Sequence, residues 1–189
     1  MIETFDGITP RIAASAFVHP LALVRGDVQI GELCIVHPGA VINADWAPVR
    51  IGDRVIIEDN CVLHAGLQED WWSGLRTPLV VGNDVIIGHG AVVHGTKIGD
   101  HVMIGMNATV LQNVEIADSC VIAAGAVVPE AQRIPAGSFV AGVPARVKGG
   151  LSKDQAGWTG EGIDKRQGLS FLVEYIRKLR EASATSRTT

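Results

Sequence analysis

A six-residue repeat constrains the fold of this chain more than any other feature. An aliphatic residue recurs every sixth position over most of the sequence, and the residue four places after it is small or slim. In groups of three, the aliphatic residues are Ile12, Val18, Val24; Ile30, Val36, Ile42; Ile51, Ile57, Leu63; Val81, Ile87, Val93; Ile98, Ile104, Val110; Ile116, Ile122, Val128; and then Ile134 and Val140. A unit with one large and one small inward side chain describes one flat side of a prism, and three units close one coil. The repeat therefore predicts an all-β fold, a parallel β-helix.

The other fold that a repeat can indicate is an amphipathic helical array. Strict six-residue spacing with frequent glycine does not follow the 3.6-residue period of a helix, so this alternative is disfavoured. The repeat stops after Val147, and from Leu169 the apolar residues fall at helical spacing. We predict a β-helix domain over 1–148, a linker and C-terminal helix over 149–182, and a disordered polar tail over 183–189.

The repeat is interrupted at three places. Three extra residues lie between Ile42 and Ile51, twelve lie between Leu63 and Val81, and one residue is missing between Val93 and Ile98. Insertions in a solenoid leave the coil as loops, often on the functional face. The interruptions therefore mark the part of the chain in which to look for a site.

Composition excludes several classes of function. Lys and Arg number 16 and Asp and Glu number 20, a net charge of −4 without the basic stripe that nucleic acid requires. No apolar run is long enough to cross a bilayer, and the first residues do not resemble a signal peptide. Cys34, Cys61 and Cys120 all fall on the small inward position, which predicts core packing rather than disulfides or metal ligation. We expect a cytoplasmic protein that contacts neither membrane nor nucleic acid.

In a stack of coils, residues at the same offset in successive coils form a column, and neighbours in a column lie about 4.8 Å apart. The column one place after the third aliphatic residue reads Arg25, Asn43, His64, His94 and Leu111. His64 and His94 are therefore expected to be neighbours although thirty residues separate them. Two imidazoles one strand spacing apart can converge on one metal ion.

A third histidine falls on another side of the prism. His89 lies two places after the second aliphatic residue, in the column Pro20, Pro38, Asp59, His89, Met106 and Ala124. One chain is not expected to bring His89 onto an ion held by His64 and His94, but a neighbour related by three-fold symmetry is able to do so. The histidines predict a homotrimer with a metal at each interface.

A three-histidine site leaves one coordination position open for water, which is the pattern of a catalytic rather than a structural zinc. Water in that position ionises near pH 7 and becomes a nucleophile. The alternative is that each histidine is a solvated or hydrogen-bonded surface side chain, as an isolated histidine on a repeat surface usually is.

Two segments carry a family resemblance. Ile57–Gly66 reads IEDNCVLHAG and Val85–Gly95 reads VIIGHGAVVHG. With the ending IPAGSFVAGVPARV, they resemble the γ-carbonic-anhydrase-like branch of the hexapeptide-repeat proteins, which includes ferripyochelin-binding-like, phenylacetate-operon and carnitine-operon relatives. The resemblance runs from about Ile12 to Val147.

The resemblance implies a left-handed coil, an exception to the right-handed crossover rule. It implies a homotrimer with zinc, iron or cobalt bound at positions matching His64, His89 and His94. It also implies that Asp59 lies beside the site, where a carboxylate orients a histidine or the bound water. The alternative for Asp59 is an exposed aspartate in a turn.

Two positions depart from the family pattern. The family usually has arginine at Asn43 and glutamine at Glu58, whereas the aspartate of its Arg-x-Asp motif is kept as Asp45. The arginine normally pairs with a carboxylate across the trimer interface, so its replacement puts full activity in doubt. We hypothesise that Arg25, one coil below Asn43, takes over the ion pair with Asp45 or its neighbour. Glu58 adds negative charge near the ion, which raises the pKa of bound water.

The long insertion contains the acidic sequence Gln68–Trp72. The resemblance implies that Glu69 or Asp70 carries protons away from the metal. The alternative, which we favour, is a loop at the rim of the trimer, with Trp71 and Trp72 packing onto a neighbour.

Three functions remain open at this point. The first is reversible hydration of CO2 to bicarbonate by a metal-bound hydroxide, with Asp59, Glu58, Asp45 and Glu69 assisting. The second is a metal-dependent acyl-CoA thioesterase or an acyltransferase, since hexapeptide proteins include many such enzymes. The third is a non-catalytic, metal-stabilised trimeric scaffold, because fold alone does not fix function.

Overall fold

The computed structural model describes residues 1–67, 76–94, 97–159 and 165–185. The first eleven strands are β1 (Ile2–Glu3), β2 (Arg11–Ile12), β3 (Phe17–Val18), β4 (Leu23–Ile30), β5 (Ile35–Val36), β6 (Val41–Ile51), β7 (Ile56–Ile57), β8 (Val62–His64), β9 (Gly66–Leu67), β10 (Arg76–Thr77) and β11 (Leu79–Val81). The others are β12 (Ile86–Ile87), β13 (Val92–His94), β14 (Lys97–Ile98), β15 (Met103–Ile104), β16 (Thr109–Val110), β17 (Glu115–Ile116), β18 (Val121–Ile122), β19 (Val127–Val128), β20 (Arg133–Ile134), β21 (Ser138–Gly142) and β22 (Ala145–Gly150). Two helices follow, α1 (Lys153–Trp158) and α2 (Lys165–Thr185).

The strands form a left-handed parallel β-helix of about seven turns, as the repeat and the resemblance predict. Its first face runs from β2 through the ends of β4 and β6 to β11, β14, β17 and β20. Its second face is β3, β5, β7, β12, β15, β18 and β21. Its third face starts at β1 and the beginnings of β4 and β6 and continues through β8, β13, β16 and β19. Within each face, neighbouring coils pair in parallel.

The register between coils is the one that the aliphatic spacing predicts. On the third face, Val24 pairs with Ile42, Ile42 with Leu63, and Leu63 with Val93. These inward aliphatic side chains are fully buried in one continuous core. Because strand side chains alternate between the two surfaces, a fixed inward row also fixes every outward row.

The cysteines lie in the core, as their inward positions predict. All three are free and buried. The Cys34 thiol donates to the Gly52 carbonyl over 3.0 Å, and the Cys61 thiol donates to the Gly88 carbonyl over 3.1 Å. Burial raises the pKa of both thiols to about 11, so they are packing groups and not nucleophiles at neutral pH.

A ladder of side-chain acceptors holds the corner between the first and second faces. The Oδ1 atom of Asp53 accepts from the Glu32 amide over 2.8 Å, and that of Asn83 accepts from the Asp53 amide over 2.9 Å. The Oδ1 atom of Asp100 accepts from the Asn83 amide over 2.6 Å, and Asp118 accepts from the Asp100 amide over 2.9 Å. Each side chain thus satisfies a backbone N–H of the preceding coil, which the sharp turn leaves without a strand partner.

Helix α2 packs along the first coils of the second face. Ile176 is buried against Phe17 and Ile35, with Leu172, Tyr175, Leu179 and Leu33 beside them. The guanidinium of Arg180 donates to the carbonyls of Ala14 and Ala16 over 2.8 and 3.1 Å. The sequence predicts this helix.

The details of the C-terminal segment differ from the prediction. Leu169 and Val173 are exposed, and Tyr175 takes a place in the apolar stripe. The helix continues to Thr185, so the first three residues of the expected tail are helical, and the rest of the tail lies outside the described residues. Helix α1 is an addition that the capping box of Ser152 and Gln155 could have indicated.

The acceptor ladder generates a prediction about stability. Replacing Asp100 with alanine leaves the Asn83 amide without its acceptor, so the free energy of unfolding should fall by about 1–2 kcal/mol. Asp100→Asn keeps an Oδ1 acceptor and should cost less than half as much. Urea unfolding followed by circular dichroism measures both variants; equal losses would contradict the acceptor role.

Candidate metal-binding site

His64 and His94 meet on the outer surface of the third face. Strands β8 and β13 pair them directly, and Asn43 and Arg25 lie on the two coils below in the same column. The imidazole centroids are 4.9 Å apart and the ring planes are inclined by 36°. The predicted neighbourhood of these two histidines is therefore present.

The surroundings favour neutral imidazoles at this pair. Burial lowers the pKa of His64, His94 lowers it further, and Asp45 acts in the opposite direction. Burial also lowers the pKa of His94, opposed by the charge of Glu130. A neutral imidazole is the form that binds a metal ion.

The Nδ1 atom of His94 is buried and has no hydrogen-bond partner within the described residues. A buried polar atom without a partner is costly, and such atoms in a native protein call for an explanation. A metal ion or a group from a second chain would satisfy the His94 ring. The pair therefore fits a metal ion as two of its ligands.

His89 lies at the corner that follows strand β12, in contact with two carboxylates. Its Nε2 atom is 3.2 Å from Glu58 Oε2, and its Nδ1 atom is 3.0 Å from Asp59 Oδ2. The backbone amide of His89 also donates to Glu58 Oε2 over 3.0 Å. The histidine side chain is 51% exposed, so it is presented to the outside rather than to the core.

The structure thus brings the sequence-predicted residues together in two groups. Within the described residues, no three His, Cys, Asp or Glu side chains lie where they could hold one metal ion. His64 and His94 form one group on the third face; His89, Glu58 and Asp59 form the other. Glu69 lies outside the described residues, as does the rest of the Gln68–Trp72 sequence.

Asp45 lies in the three-residue insertion within strand β6, where Arg25 binds it. The Arg25 Nε atom donates to Asp45 Oδ1 over 2.9 Å, and Asn43 Nδ2 donates to Asp45 Oδ2 over 3.3 Å. Arg25 therefore pairs with Asp45 within a single chain, and its replacement of the family's arginine at a trimer interface stays a prediction.

The N-terminal segment adds two contacts to Arg25 that the sequence did not predict. Glu3 pairs with Arg25 in the register of β1 and β4, and its carboxylate is 3.4 Å from the guanidinium. The guanidinium also lies over the Phe5 ring, 4.6 Å from its centroid. The first residues do not follow the six-residue repeat, so the spacing gave no signal for this extra half-coil.

Comparison with known proteins assigns the class of this fold. The family model for the bacterial transferase hexapeptide (six repeats) matches residues 9–44 and 95–130. The chain is 30% identical over 154 residues to the carnitine operon protein CaiE of Escherichia coli, covering 82% of this chain and 74% of that protein. It is 38% identical over 146 residues to the mitochondrial γ-carbonic anhydrase 1 of Arabidopsis thaliana.

The chain therefore belongs to the hexapeptide-repeat family that includes the γ-carbonic anhydrases and CaiE. The match to the Arabidopsis protein covers 77% of this chain but 52% of that protein, so the chain spans about half of that relative's length. Among solved structures, a Bacillus cereus protein assigned provisionally to the acetyltransferases superposes with a TM-score of 0.81. It is 28% identical, and the match covers 97% of each chain. Within the described residues, no helix is long and apolar enough to span a membrane.

The contacts of Arg25 generate a testable prediction. Arg25→Ala removes the ion pairs to Asp45 and Glu3, so the free energy of unfolding should fall by about 1 kcal/mol. Because Asp45 is held next to the column of His64, metal content should fall as well. Plasma emission spectroscopy and urea unfolding measure the two effects.

Arg50→Ala is the matched control, because Arg50 is equally exposed (34%) and pairs with Asp27 over 2.9 Å on the first face. The control should lose similar stability but keep its metal. Unchanged metal content in Arg25→Ala would show that the Arg25 cluster has no part in the site.

Proposed function

We propose that this protein is a trimeric, metal-dependent enzyme of the γ-carbonic-anhydrase type, which hydrates CO2 reversibly at its subunit interfaces. The observation that carries the proposal is the contact between His64 and His94, with a buried His94 nitrogen that has no hydrogen-bond partner among the described residues. The sequence similarity of the chain to a γ-carbonic anhydrase and to CaiE supports the proposal.

The outward row of the third face supports self-association. Val41, Val62 and Val92 pair with one another on strands β6, β8 and β13, and they are half-buried or exposed in the single chain. In the equivalent row of the first face, one exposed valine, Val80, lies between the charged residues Arg50 and Lys97. An apolar row on the strands of His64 and His94 favours a second chain there.

Cyclic symmetry would complete the site. In a closed ring, each neighbour presents the same corner, so one subunit's His89 can approach the other's His64 and His94. Zn2+, or Fe2+ or Co2+, is the ion that three imidazoles suit. Held there, it would supply Lewis-acid activation of water near pH 7.

The carboxylates would then act on His89 and on the interface. Asp59, 3.0 Å from Nδ1, would fix the tautomer and orientation of the ring, as second-sphere carboxylates of metal-bound histidines do. Glu58 brings a second negative charge to the same ring and would have to leave Nε2 if that atom ligates. Asp45, fixed by Arg25, would secure the interface. A role for Glu69 in removing protons stays a prediction from the sequence.

Acyl transfer is the second candidate, for one structural reason. A histidine with a carboxylate on one ring nitrogen is also how a general base is built, and His89 with Asp59 would have this arrangement once Glu58 leaves Nε2. The structural neighbour from Bacillus cereus, assigned provisionally to the acetyltransferases, covers almost the whole chain. In this reading, His89 and Asp59 would be essential, but His64 and His94 would not.

Metal content and CO2 hydration should be measured together on anaerobically purified protein. We expect about one divalent ion per chain and hydration in stopped-flow assays. His94→Ala should lose both metal and hydration, whereas the control His19→Ala should keep both. Metal without hydration would contradict the carbonic anhydrase activity, and absence of metal would contradict the site. Acetyl-CoA turnover that survives chelation and His94→Ala would favour acyl transfer.

A mixing experiment tests whether the site is shared between chains. His89→Ala and His94→Ala subunits should each lack metal alone. After the two are unfolded together and refolded at equal amounts, about one quarter of the interfaces should pair an intact His64–His94 group with an intact His89, and should regain metal. Mixtures that stay metal-free while homogeneous wild-type refolds with metal would exclude a shared site.

A further inference from the structure

The glycine that follows the first site histidine by two positions lies against the second one. An ideal Cβ atom at Gly66 would be 2.3 Å from Cε1 of His94, 3.0 Å from Nε2 and 3.2 Å from Nδ1. A Cβ atom essentially never lies within 3.0 Å of a heavy atom outside its own and the adjacent residues, so at such a distance one of the two groups has to shift. Gly66 therefore occupies space that any larger residue would take from the His94 ring.

The His94 ring has a second neighbour that limits its movement. The His64 ring lies at a centroid distance of 4.9 Å on the coil below. The imidazole is therefore confined by the Gly66 backbone and by His64. Its buried Nδ1 atom makes no hydrogen bond in the part of the chain that the structure describes, so packing orients this end of the ring.

The segment that carries Gly66 is itself anchored. Strand β9 pairs antiparallel with β10, with Gly66 opposite Thr77 and Leu67 opposite Arg76. Thr77 Oγ1 donates to Asn113 Oδ1 over 3.2 Å, which ties the ribbon to a later coil. The preceding Ala65 amide donates to the Asn43 carbonyl over 3.3 Å, which ties the other end to an earlier coil.

We propose that Gly66 is a positioning residue of the metal site: the lack of a side chain at this position sets the orientation of the His94 ring. This inference rests on the proposed function for its consequence, metal binding, but not for its geometry. Gly66→Ala would push the imidazole away from the backbone and change the direction of its nitrogens. Misorienting a ligand in this way should weaken metal binding by about 10- to 100-fold.

The first test uses Gly66→Ala with Gly150→Ala as its matched control. A Cβ atom at Gly150 would meet the Gly137 carbonyl oxygen at 3.8 Å, an ordinary contact far from the histidines. Cobalt titration gives both the affinity and the visible absorption spectrum, which reports ligand geometry. We expect the control to match wild type and Gly66→Ala to bind cobalt at least 10-fold more weakly with an altered spectrum. Equal affinity and an unchanged spectrum would overturn the inference.

The second test needs no metal. In metal-free protein with labelled histidine, Gly66→Ala should shift the His94 ring resonances, while those of His19 stay in place. Wild type should also show a nuclear Overhauser effect between the Gly66 Hα protons and the His94 ring, which remains decisive even if the variant does not fold. A missing effect, or unshifted His94 resonances in a folded variant, would refute the contact. Wild type that binds no cobalt but passes this test would refute the proposed function and leave the positioning geometry standing.

Discussion

The structure depends on the register in which one coil stacks on the next. Large inward residues such as Ile42, Leu63 and Val93 pair in one row, and they are all fully buried. A slip of one residue would turn the aliphatic row toward solvent and the polar row toward the core. The burial of the row therefore fixes the outer surface as firmly as the core, and this register alone places His64 over Asn43 and under His94.

This constraint explains how irregular segments are accommodated. The coils on either side of the three-residue insertion around Asp45 and of the twelve-residue insertion after Leu63 stay in register, since Ile30 pairs with Ile51 and Ile51 with Val81 as the repeat requires. The aliphatic row keeps its pairing and Ala47 of the first insertion joins the core, while Asp45 and Gly66 are placed beside the histidine column. Both insertions adjoin the histidine column. The β-helix thus accommodates insertions beside the histidine column without changing the register of its inward aliphatic row.

The sequence predicts the features that the repeat determines and misses those that depend on segments outside the repeat. The rows and the column of His64 and His94 follow from spacing, because spacing alone determines them. Spacing does not determine which face of helix α2 packs on the β-helix. Tyr175 packs against the cluster of Phe17 and Ile35, whereas Val173 is exposed. The contact of Glu3 with Arg25 was also unpredictable, since β1 enters the third face through residues outside the repeat. Local periodicity carries no information about such docked segments.

The two groups of histidines are held by different forces. Carboxylates on both ring nitrogens hold His89, whereas confinement by Gly66 and His64 holds His94. Contacts with two carboxylates orient the exposed His89 ring, and that would suit a residue proposed to reach across to another chain. A ring fixed by packing needs a preformed pocket, which the stacked coils provide on the third face. The proposed site would therefore combine the preformed pair of His64 and His94 with an exposed His89 that carboxylates orient.

A divided site also changes what metal binding would stabilise. Within the described residues, the buried hydrophobic side chains of one chain form a continuous core, so we expect folding not to need an ion in the way that a zinc finger does. A ligand stabilises whichever state binds it and leaves the others unchanged. If the third imidazole comes from a neighbour, only the assembled state binds the ion fully, and its binding free energy would favour assembly rather than folding. Chelation would then separate subunits that remain folded, and that distinguishes an interfacial site from one contained in a single chain.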